Sequence, residues 1–372
     1  MTQALLVLNT GSSSVKFRVF ALAPGLALLA GGKIEDIGSG ASIKANVAGG
    51  QATLGALPEV KDHDQAVSLM LDWLDSHNSG WQLVACAHRI VHGGDRYQQA
   101  TALDEAALDY LAGLTPLAPL HQPHNLAGVA LVAARRPGLR HYGCFDTAFH
   151  ARHQPLFNRY ALPDRLFERG IRRYGFHGLS YDWLAHCLRQ EYPALAQGKV
   201  VAAHLGNGAS LCAMAGGASV DTTMGMTALE GLPMGTRCGN LDAGAVFFMV
   251  KDLGMALAEA ERLLYEESGL KGLSGISNDV KVLLASAEPR ARFALDFFAL
   301  KVAQQVAAMA VSLGGLDALL FTGGIGENAA PIRRQILSHL AFLPPFAHLV
   351  IAANEEAAMA TEILEGFAKE LL

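Results

Sequence analysis

Apolar runs that end in glycine-rich turns recur along this chain, and the first of them lies near residue 1. Residues 4–9 (ALLVLN) form a continuous apolar run, which is typical of a strand buried on both faces. Residues 15–20 (VKFRVF) alternate between apolar and basic side chains, which predicts a strand with one buried face. The turn NTGSSS at 9–14 therefore joins two strands. A Walker A loop has a second glycine directly before its lysine and a helix after it, whereas here a strand follows and no second glycine precedes Lys16. The turn therefore has the composition of a phosphate loop but lies within a hairpin.

The same design occurs again in the second half of the chain. Residues 199–214 (KVVAAHLGNGASLCAM) are an apolar run, a glycine-rich turn and a second apolar run. The stretch NTGS at 9–12 aligns with HLGN at 204–207. Two such hairpins predict an internal duplication, with a related domain opening on each hairpin, and a chance likeness is the alternative.

Helical patterns separate the predicted strands. A helix is predicted over His63–His77, with one apolar face and a turn signal after it. A long helix is predicted over Arg292–Leu313, with Phe293, Phe297 and Leu300 in register, and a last helix follows Asn354. Residues 31–57 are poorly patterned and are expected to hold short strands and turns. Alternating strands and helices predict an α/β chain, with a domain junction near residues 150–172.

A third glycine cluster follows the strand-like run ALLF and precedes a predicted helix with Pro331 in its first turn. Gly324, Gly326 and Ala329 give the spacing of a dinucleotide fingerprint. That fingerprint expects an acidic residue about 20 positions on, with further strand–helix units behind it. The next acidic residue is Glu355, near the end of the chain. Phosphate binding at a helix N-terminus is therefore favoured over a nicotinamide or flavin site, and close helix–strand packing is the remaining explanation for the glycines.

Composition narrows the partners. The chain has 372 residues, of which 51% are hydrophobic and 17% charged, and its net charge of −5 argues against a nucleic-acid partner. Five cysteines lie far apart with no CxxC pair, which favours a reducing, cytoplasmic location. The opening residues lack the basic region of a signal peptide. The longest uncharged stretch, 200–220, contains helix-breaking glycines, so no membrane span is expected there.

Several polar side chains are candidates for chemistry. Histidines at spacings of three or four (88/92, 121/124 and 150/153) suit a metal only if helical, and no carboxylate or cysteine completes a zinc pattern. Arg89, Arg96 and Arg237 stand among glycines, a setting that suits bidentate binding of a carboxylate or phosphate. Asp146 and His177 lie between aromatic residues, where core groups satisfied by hydrogen bonds are common. Together with three glycine-rich turns, these residues favour nucleotide phosphates and an anionic second substrate.

Nine ordered motifs give the chain a family resemblance over nearly its whole length: NTGSSSVKF, HRIVHGG, APLH, FDTAFH, YGFHG, HLGNGAS, MGTRCG, SNDV and FTGGIGEN. The chain resembles the acetate kinases, of the acetate and sugar kinase, heat-shock 70 and actin superfamily. The resemblance implies two duplicated, actin-like (ribonuclease H-like) α/β domains around a nucleotide cleft. It places a first domain at 1–150 plus a C-terminal helix at 358–372, and a second at 151–357 that carries most of the nucleotide site and the dimer interface. It also implies a cytoplasmic homodimer that uses ATP, with Mg²⁺ or Mn²⁺, to phosphorylate acetate, and no membrane.

The resemblance also assigns roles to individual residues. It implies Asp146, His177 and Arg237 as catalytic residues, and Asn9 and Glu355 as metal-linked residues, with Glu356 an adjacent alternative. The acid site is implied to comprise Arg89, Val91, Leu120, His121, Phe176 and Ala228. ATP is implied to contact Ser12, Ser14, Lys16, His204, Leu205, Gly206, Asn207, Gly208, Asp279, Val280, Lys281, Gly324, Ile325, Gly326, Glu327 and Asn328.

Departures from the family pattern bear on specificity. Lys281 stands where arginine is common, Gln122 where asparagine is usual, and Ala228 where proline is usual. Because position 228 borders the acid's alkyl group by resemblance, propionate or another short acid is the alternative acceptor. A sugar kinase and a non-kinase ATPase of the superfamily are the two rival functions. A sugar kinase would use Asp146 as a base, whereas a carboxylate acceptor is already ionised, so Asp146 is predicted to position the metal or an arginine.

Overall fold

The computed structural model describes residues 1–11, 13–50, 53–57, 59–78, 80–119 and 121–371, and the side chains of 368–370 are not described. Ser12 and Leu120, two of the predicted site residues, lie outside the described residues. The chain divides into two compact units: Met1–Phe149 with Asn354–Leu372, and His150–Ala353.

The first unit is built on an eight-stranded sheet in the order β5-β4-β3-β2-β1-β6-β8-β7. Strands β1 and β2 pair as an antiparallel hairpin, while β1, β6 and β8 run parallel to one another. The strands are β1 (Thr2–Thr10), β2 (Val15–Ala21), β3 (Leu28–Glu35), β4 (Ser42–Val47), β5 (Thr53–Ala56), β6 (Trp81–Ile90), β7 (Thr101–Ala102) and β8 (Arg140–Phe145).

Four α-helices accompany this sheet in the described residues. They are α1 (His63–Ser76), α2 (Glu105–Gly113), α3 (Gln122–Arg135) and α15 (Glu355–Leu371). The apolar face of α1, including Val67, Met70 and Leu74, packs against Leu6 and Phe17 of the sheet. Asp62 caps α1 by accepting a hydrogen bond from the backbone N–H of Gln65 at 2.9 Å. Apolar side chains from one face of the sheet and one face of α1 are buried together and form a core of the first unit.

The second unit contains a five-stranded sheet in the order β11-β10-β9-β12-β13. Its strands are β9 (Lys199–Leu205), β10 (Ala209–Ala215), β11 (Ala218–Thr222), β12 (Ala318–Thr322) and β13 (Ala347–Val350). The hairpin β9–β10 is antiparallel, and β9, β12 and β13 are parallel. The same order and directions occur in β3-β2-β1-β6-β8 of the first unit. The duplication predicted from the two hairpins is therefore confirmed, and so is the α/β actin-like fold.

The second unit contains eleven α-helices among the described residues. They are α4 (Pro155–Asn158), α5 (Asp164–Phe167), α6 (Gly178–Glu191), α7 (Pro193–Ala196), α8 (Ala243–Lys251), α9 (Leu257–Arg262), α10 (Gly269–Ser274), α11 (Val280–Ala285), α12 (Pro289–Leu313), α13 (Gly323–Asn328) and α14 (Ala330–His339). The long helix α12 contacts α10, α11 and α14, and it begins three residues before the predicted start. Its buried face carries Phe298, Val302 and Val306, whereas Phe293 and Leu300 of the predicted face are exposed. The apolar pattern was misleading because α12 is apolar on both sides.

Three further predictions meet the structure. Residues 31–57 hold β3, β4 and β5, in agreement with short strands and turns. The first unit resumes at Asn354, and helix α15 begins at Glu355. Residues 354–357, which the prediction assigned to the second domain, therefore lie in the first unit, and His150, assigned to the first domain, lies in the second unit. The uncharged stretch 200–220 forms strands. Among the described residues, α12 alone has the length and apolar character that crossing a membrane requires, which is weak evidence because half of its apolar window is buried, as in a core helix.

Candidate active site

The predicted site residues of the first unit lie where parallel strands end. Asn9 is the penultimate residue of β1, Arg89 is the penultimate residue of β6, and Asp146 follows β8. Because β1, β6 and β8 are adjacent and parallel, their carboxyl ends meet at one edge of the sheet. Ligands of α/β sheets bind outside this edge. The topology thus brings together three residues that are far apart in sequence.

Arg89 is the centre of an ionic cluster. Its Nε and Nη2 donate to the two carboxylate oxygens of Asp146 at 2.9 and 2.8 Å, and its Nη1 donates to Oε2 of Glu355 at 2.5 Å. A fork contact of this kind fixes both partners and is stronger than a single neutral hydrogen bond. The prediction that Asp146 holds either a metal or an arginine is thereby sharpened, since both of its oxygens accept from Arg89.

The electrostatics of the cluster keep Arg89 charged. Burial lowers the pKa of the guanidinium, but Asp146 and Glu355 outweigh burial, and the pKa is raised overall. Burial also raises the pKa of Asp146, and Arg89 opposes that rise. With two carboxylates around one guanidinium, the ionised cluster carries a net negative charge. A cluster with this charge is suited to a cation.

The two adjacent glutamates at the start of α15 have different partners. Glu355 reaches Arg89, whereas Glu356 lies 3.8 Å from Nε of Arg18 on β2. Glu355 therefore belongs to the cluster with Asp146, and Glu356 does not. The sequence alone left the choice between them open.

Helix α3 holds the loops of this cluster in place. The Asn125 side chain accepts from the backbone N–H of Val91 at 2.9 Å and donates to the carbonyl of Thr10 at 2.8 Å. Gln122 is fully buried and bonds both the N–H and the carbonyl of His92. A Cβ at Gly128 would lie 2.5 Å from Oγ1 of Thr10, so glycine is needed where α3 crosses β1. Asn125 lies one turn after the APLH motif and was not among the predicted site residues.

The other predicted residues of the first unit surround the turn after β1. Lys16 on β2 pairs in register with Asn9, and Ser14 accepts from the N–H of Gly11 through its carbonyl at 2.9 Å. His63 bonds the carbonyl of Gly11 at 2.7 Å, a support that sequence analysis did not identify. His121 immediately precedes α3, and its charge lowers the pKa of Asp146.

The second unit contains a cavity of about 890 Å³. Its lining includes many of the residues predicted to bind ATP, namely Gly206, Asn207, Asp279, Val280, Lys281, Gly324, Ile325 and Asn328. Asn278, Leu284 and Ala329 also line it and were not predicted. The cavity brings together the turn after β9, the start of α11 and helix α13. It lies within the size range of small-molecule and cofactor sites.

Gly235, in the MGTRCG motif at 234–239, packs closely against the turn after β9. A Cβ at Gly235 would lie 2.0 Å from Oδ1 of Asn207, so a side chain there would displace the Asn207 amide. The N–H of Gly235 donates to the carbonyl of Asn207 at 3.0 Å, and Asn278 donates to Oδ1 of Asn207 at 3.0 Å. This contact connects the cavity wall to the loop that carries Arg237.

Five residues of the second unit that were predicted to bind ATP do not line the cavity: His204, Leu205, Gly208, Gly326 and Glu327. Leu205 and Gly326 are buried beneath it. Glu327 accepts from the backbone N–H groups of Gly323 and Ala353, each at 3.0 Å, so its carboxylate is an anchor for the chain. Asp279 lines the cavity but also caps α11 by accepting from the N–H of Lys281 at 2.8 Å.

His177 is held in an uncommon backbone conformation at the start of α6. Its φ of 59° is left-handed, which costs a non-glycine residue of order 1–3 kcal/mol and is most frequent at functional sites. Its Nδ1 bonds Oγ of Ser210 at 2.9 Å, and its ring stacks on His204 with centroids 4.3 Å apart. A Cβ at Gly208 would lie 3.4 Å from Nε2 of His177 and 3.8 Å from Nη1 of Arg237. The turn after β9 therefore brings the two predicted catalytic residues of this unit together.

A chain of buried hydrogen bonds supports this strained segment. Nε2 of His150 donates to the carbonyl of Phe176 at 3.0 Å, so its Nδ1 is the acceptor for Ser219 at 2.8 Å. His153 bonds the same hydroxyl at 2.7 Å. Burial lowers the pKa of His150 to about 3, and the neighbouring His153 acts in the same direction, which keeps His150 neutral. The pair His150/His153 is thus bonded to a hydroxyl and a carbonyl, and sequence analysis had considered it only as a metal pattern.

Arg237 has a different environment from Arg89. Its Nη1 donates to the carbonyl of Ala228 at 3.2 Å and lies 3.8 Å from the sulfur of Met234. In the described part of the chain it forms no ion pair with a carboxylate. Burial lowers the pKa of Arg237, as expected for a cation without an anionic partner. The side chain is therefore available to an anionic group.

The chain matches one family of known proteins over almost its whole length. The family model of the acetokinase family matches residues 4–358. An acetate kinase of Rhodopseudomonas palustris (strain TIE-1) is 44% identical over 348 residues, which are 92% of this chain and 87% of the relative. An acetate kinase of Rhizobium meliloti is 42% identical over 359 residues, which are 95% and 90%.

Two solved structures share the fold over almost their whole length. The acetate kinase of Porphyromonas gingivalis is 31% identical with a TM-score of 0.87, and 98% of this chain and 99% of that chain align. A propionate kinase from Francisella tularensis is 34% identical with a TM-score of 0.88, and 97% and 98% align. From the family match and these relatives, this chain belongs to the acetokinase family.

Proposed function

We propose that this protein transfers the γ-phosphoryl group of ATP to acetate, giving ADP and acetyl phosphate in a reversible, direct in-line reaction. The observation that supports this most strongly is the position of Arg237: a half-buried guanidinium without a carboxylate partner among the described residues, beside His177 and the glycine turn of the cavity. A cation in this setting stabilises an anionic reacting group at little reorganisation cost. The names of the curated relatives supply the acid.

Phosphoryl transfer to a carboxylate requires alignment and charge neutralisation rather than proton removal. The acceptor is ionised at neutral pH, so a general base is unnecessary. Asp146 already accepts two hydrogen bonds from Arg89, which supports a positioning role. We assign Arg237 and His177 to the transferring phosphoryl group. We assign binding of the acid to Arg89, Val91, Leu120, His121, Phe176 and Ala228.

Nucleotide binding is assigned to the cavity and the two glycine turns. The adenosine end would contact residues 279–281, and the phosphates the turn 204–208 and the segment 324–328. Ser12, Ser14 and Lys16 of the first hairpin would lie on the phosphate side. Lys281 presents a flexible point charge where an arginine would stack on the base, so adenine binding is expected to be weaker than with arginine.

A divalent cation fits the donors at the carboxyl edge of the first sheet. Asn9 and Glu355 offer the oxygen ligands that Mg²⁺ and Mn²⁺ prefer, and the cluster around Arg89 carries excess negative charge. When bound, the cation would neutralise phosphate charge.

Asn9→Ala and Lys16→Ala are expected to lose turnover while the fold persists. Unfolded or fully active variants would remove these assignments.

A cytoplasmic homodimer is also part of the proposal. Helix α8 has no buried residue, and Phe247 and Phe248 are 59% and 55% exposed, with Leu253 and Leu257 exposed nearby. An apolar surface of this kind is typical of a protein interface. No disulfide joins the five cysteines, all of which are described, which suits a reducing compartment. Neither nucleic acid nor membrane is expected as a partner.

The proposal is tested by measuring ADP release with and without an acid. ADP formed only when acetate is present, with acyl phosphate trapped by hydroxylamine in equal amount, is the expected result. Acid-independent ADP release would instead indicate an ATPase of the same superfamily. Dependence on a sugar would indicate a hydroxyl acceptor.

Propionate is the second candidate acceptor because Ala228 replaces a bulkier, more rigid residue and one structural neighbour is a propionate kinase. Initial rates with formate, acetate, propionate and butyrate separate these acids. We expect propionate to be used within about tenfold of acetate, because the smaller side chain at position 228 leaves room for one more methylene. Without that room, one methylene would change specificity by about 10–200-fold.

A further inference from the structure

We propose that Cys86, His88 and His141 form a binding site for a borderline-soft divalent cation such as Zn²⁺, on the sheet face opposite Arg89. Their ligand atoms all lie within 4.8 Å of one another. The proposal goes beyond the phosphoryl-transfer function and does not depend on it.

Strand register creates this cluster. Cys86 on β6 lies directly opposite His141 on β8, and His88 lies two residues further along β6. Side chains two residues apart on a strand point to the same face, so Cys86 and His88 share a face while Arg89 lies on the other. The hydrogen bond between Nε2 of His88 and Nδ1 of His141, at 2.9 Å, shows that the two rings converge.

The donor set suits zinc chemically. When an ion binds, the Cys86 thiol would release its proton to solvent, which gives one thiolate and two imidazole nitrogens. These are ligands that Zn²⁺ prefers, whereas Mg²⁺ prefers oxygen. Donors about 2.0–2.3 Å from a tetrahedral zinc lie about 3.3–3.8 Å from each other, so small side-chain rotations bring the three atoms to one ion. A water would complete the fourth position.

The cluster is poorly satisfied as an ordinary part of the core. Cys86 and His88 are buried at 0% and 2% exposure, and Cys86 belongs to the apolar cluster that includes side chains of α1 and α3. Nε2 of His141 is buried and has no hydrogen-bond partner among the described residues, so this ring is held by a single nitrogen and can turn.

A bound ion would cross-link β6, which carries Arg89 on its other face, to β8, which Asp146 follows. The expected consequence is structural: the ion stabilises the sheet edge without taking part in phosphoryl transfer. Sequence analysis could not find this site, because no spacing rule joins residues 86 and 88 to residue 141.

The test is metal binding to the full chain after chelator treatment, with excess Mg²⁺ present to occupy oxygen-ligand sites. Co²⁺ is the first probe, because a cysteine thiolate bound to Co²⁺ gives a charge-transfer absorption that carboxylate or histidine ligands alone do not give. We expect one equivalent of Co²⁺ with this band, displacement of the band by Zn²⁺, and a rise in Tm with Zn²⁺.

Two variants and one control decide the assignment. Cys86→Ala should abolish the band. His141→Ala should weaken metal binding by at least about 10-fold, because even residues that only hydrogen-bond to metal ligands cost about 10–100-fold in affinity when they are mutated. Cys144→Ala, which removes a buried thiol from the opposite face of the same sheet, should leave the band intact. If Cys86→Ala fails to fold, the half-buried His141 provides the decisive variant. A wild-type chain without the band, a band that survives Cys86→Ala, or an unchanged Co²⁺ affinity in His141→Ala overturns the proposal.

Discussion

Arg89 and Arg237 occupy similar sequence contexts, each close to glycines, yet their surroundings in the two units are opposite. Arg89 donates to carboxylate oxygens from three of its nitrogens, and the side chain of its partner Asp146 is only 4% exposed. Arg237 contacts a carbonyl and a sulfur, and no carboxylate pairs with it in the described residues. One guanidinium is therefore already neutralised by the protein, and the other is open to an anion.

This difference has energetic consequences. A buried ion pair broken on one side leaves an uncompensated charge, so removal of Arg89 affects folding. Removal of Arg237 leaves no charged partner behind, so its effect should fall on catalysis. Under the proposed function, the same amino acid serves positioning in the first unit and charge stabilisation in the second, and four variants test this contrast.

Arg237→Leu should give the largest effect, a fall in kcat on the order of 10³-fold, by analogy with other arginines that stabilise a transferring phosphoryl group. The free energy of unfolding should change little. Steady-state kinetics with both substrates, beside urea unfolding, check this. Arg237→Lys is the control, because it keeps the charge but loses the planar fork. A variant whose only defect is a higher KM for ATP would contradict the role.

Arg89→Leu should destabilise the protein by about 3 kcal/mol, because Asp146 and Glu355 lose their cation. Urea unfolding measures this. Arg18→Leu is the matched control: its contact with Glu356 is 3.8 Å long and its side chain is 39% exposed, so a loss below about 1 kcal/mol is expected. Equal losses for the two variants would show that the cluster around Arg89 is no stronger than a surface pair.

Asp146→Asn should lower kcat on the order of 10²-fold through misplacement of Arg89, since an amide cannot accept both guanidinium hydrogen bonds. The defect should be nearly independent of pH, because the acceptor acid is ionised throughout the neutral range. Turnover measured against pH for wild type and variant checks this. A defect that shrinks steadily as pH rises would instead identify Asp146 as a general base.

Ala228→Pro should give the smallest effect, a shift of about 10-fold in kcat/KM toward acetate over propionate. The ring adds volume and fixes φ in the segment whose carbonyl accepts from Arg237. The segment is already anchored, since Met226 donates to the hydroxyl of Tyr160 at 2.9 Å, and Tyr160 and Arg173 both bond Glu230. Ala228→Gly controls for flexibility. An unchanged acid preference in both variants would show that position 228 does not border the acid.

Much of the fold follows from local pattern. The hairpins at 9–17 and 199–214 were predictable because continuous or alternating apolar runs on either side of a glycine turn admit few other structures. Helix α1 follows from its cap, its apolar face and its terminating turn. The face of α12 was not predictable, because both of its sides are apolar and only packing decides which one is buried.

Of the candidate site, the sequence by itself determined which residue types are present: the glycine turns, the arginines beside them, and the motifs by which the family is identified. Only the tertiary structure decided which of them meet. Glu355, rather than Glu356, bonds Arg89. Asn125 and His150 hold neighbouring loops through hydrogen bonds to backbone carbonyls. Cys86 lies opposite His141 in the sheet. These contacts depend on strand register and helix packing between residues far apart in sequence. The free energy of each contact exists only once the sheet has formed, so it leaves no local pattern in the chain.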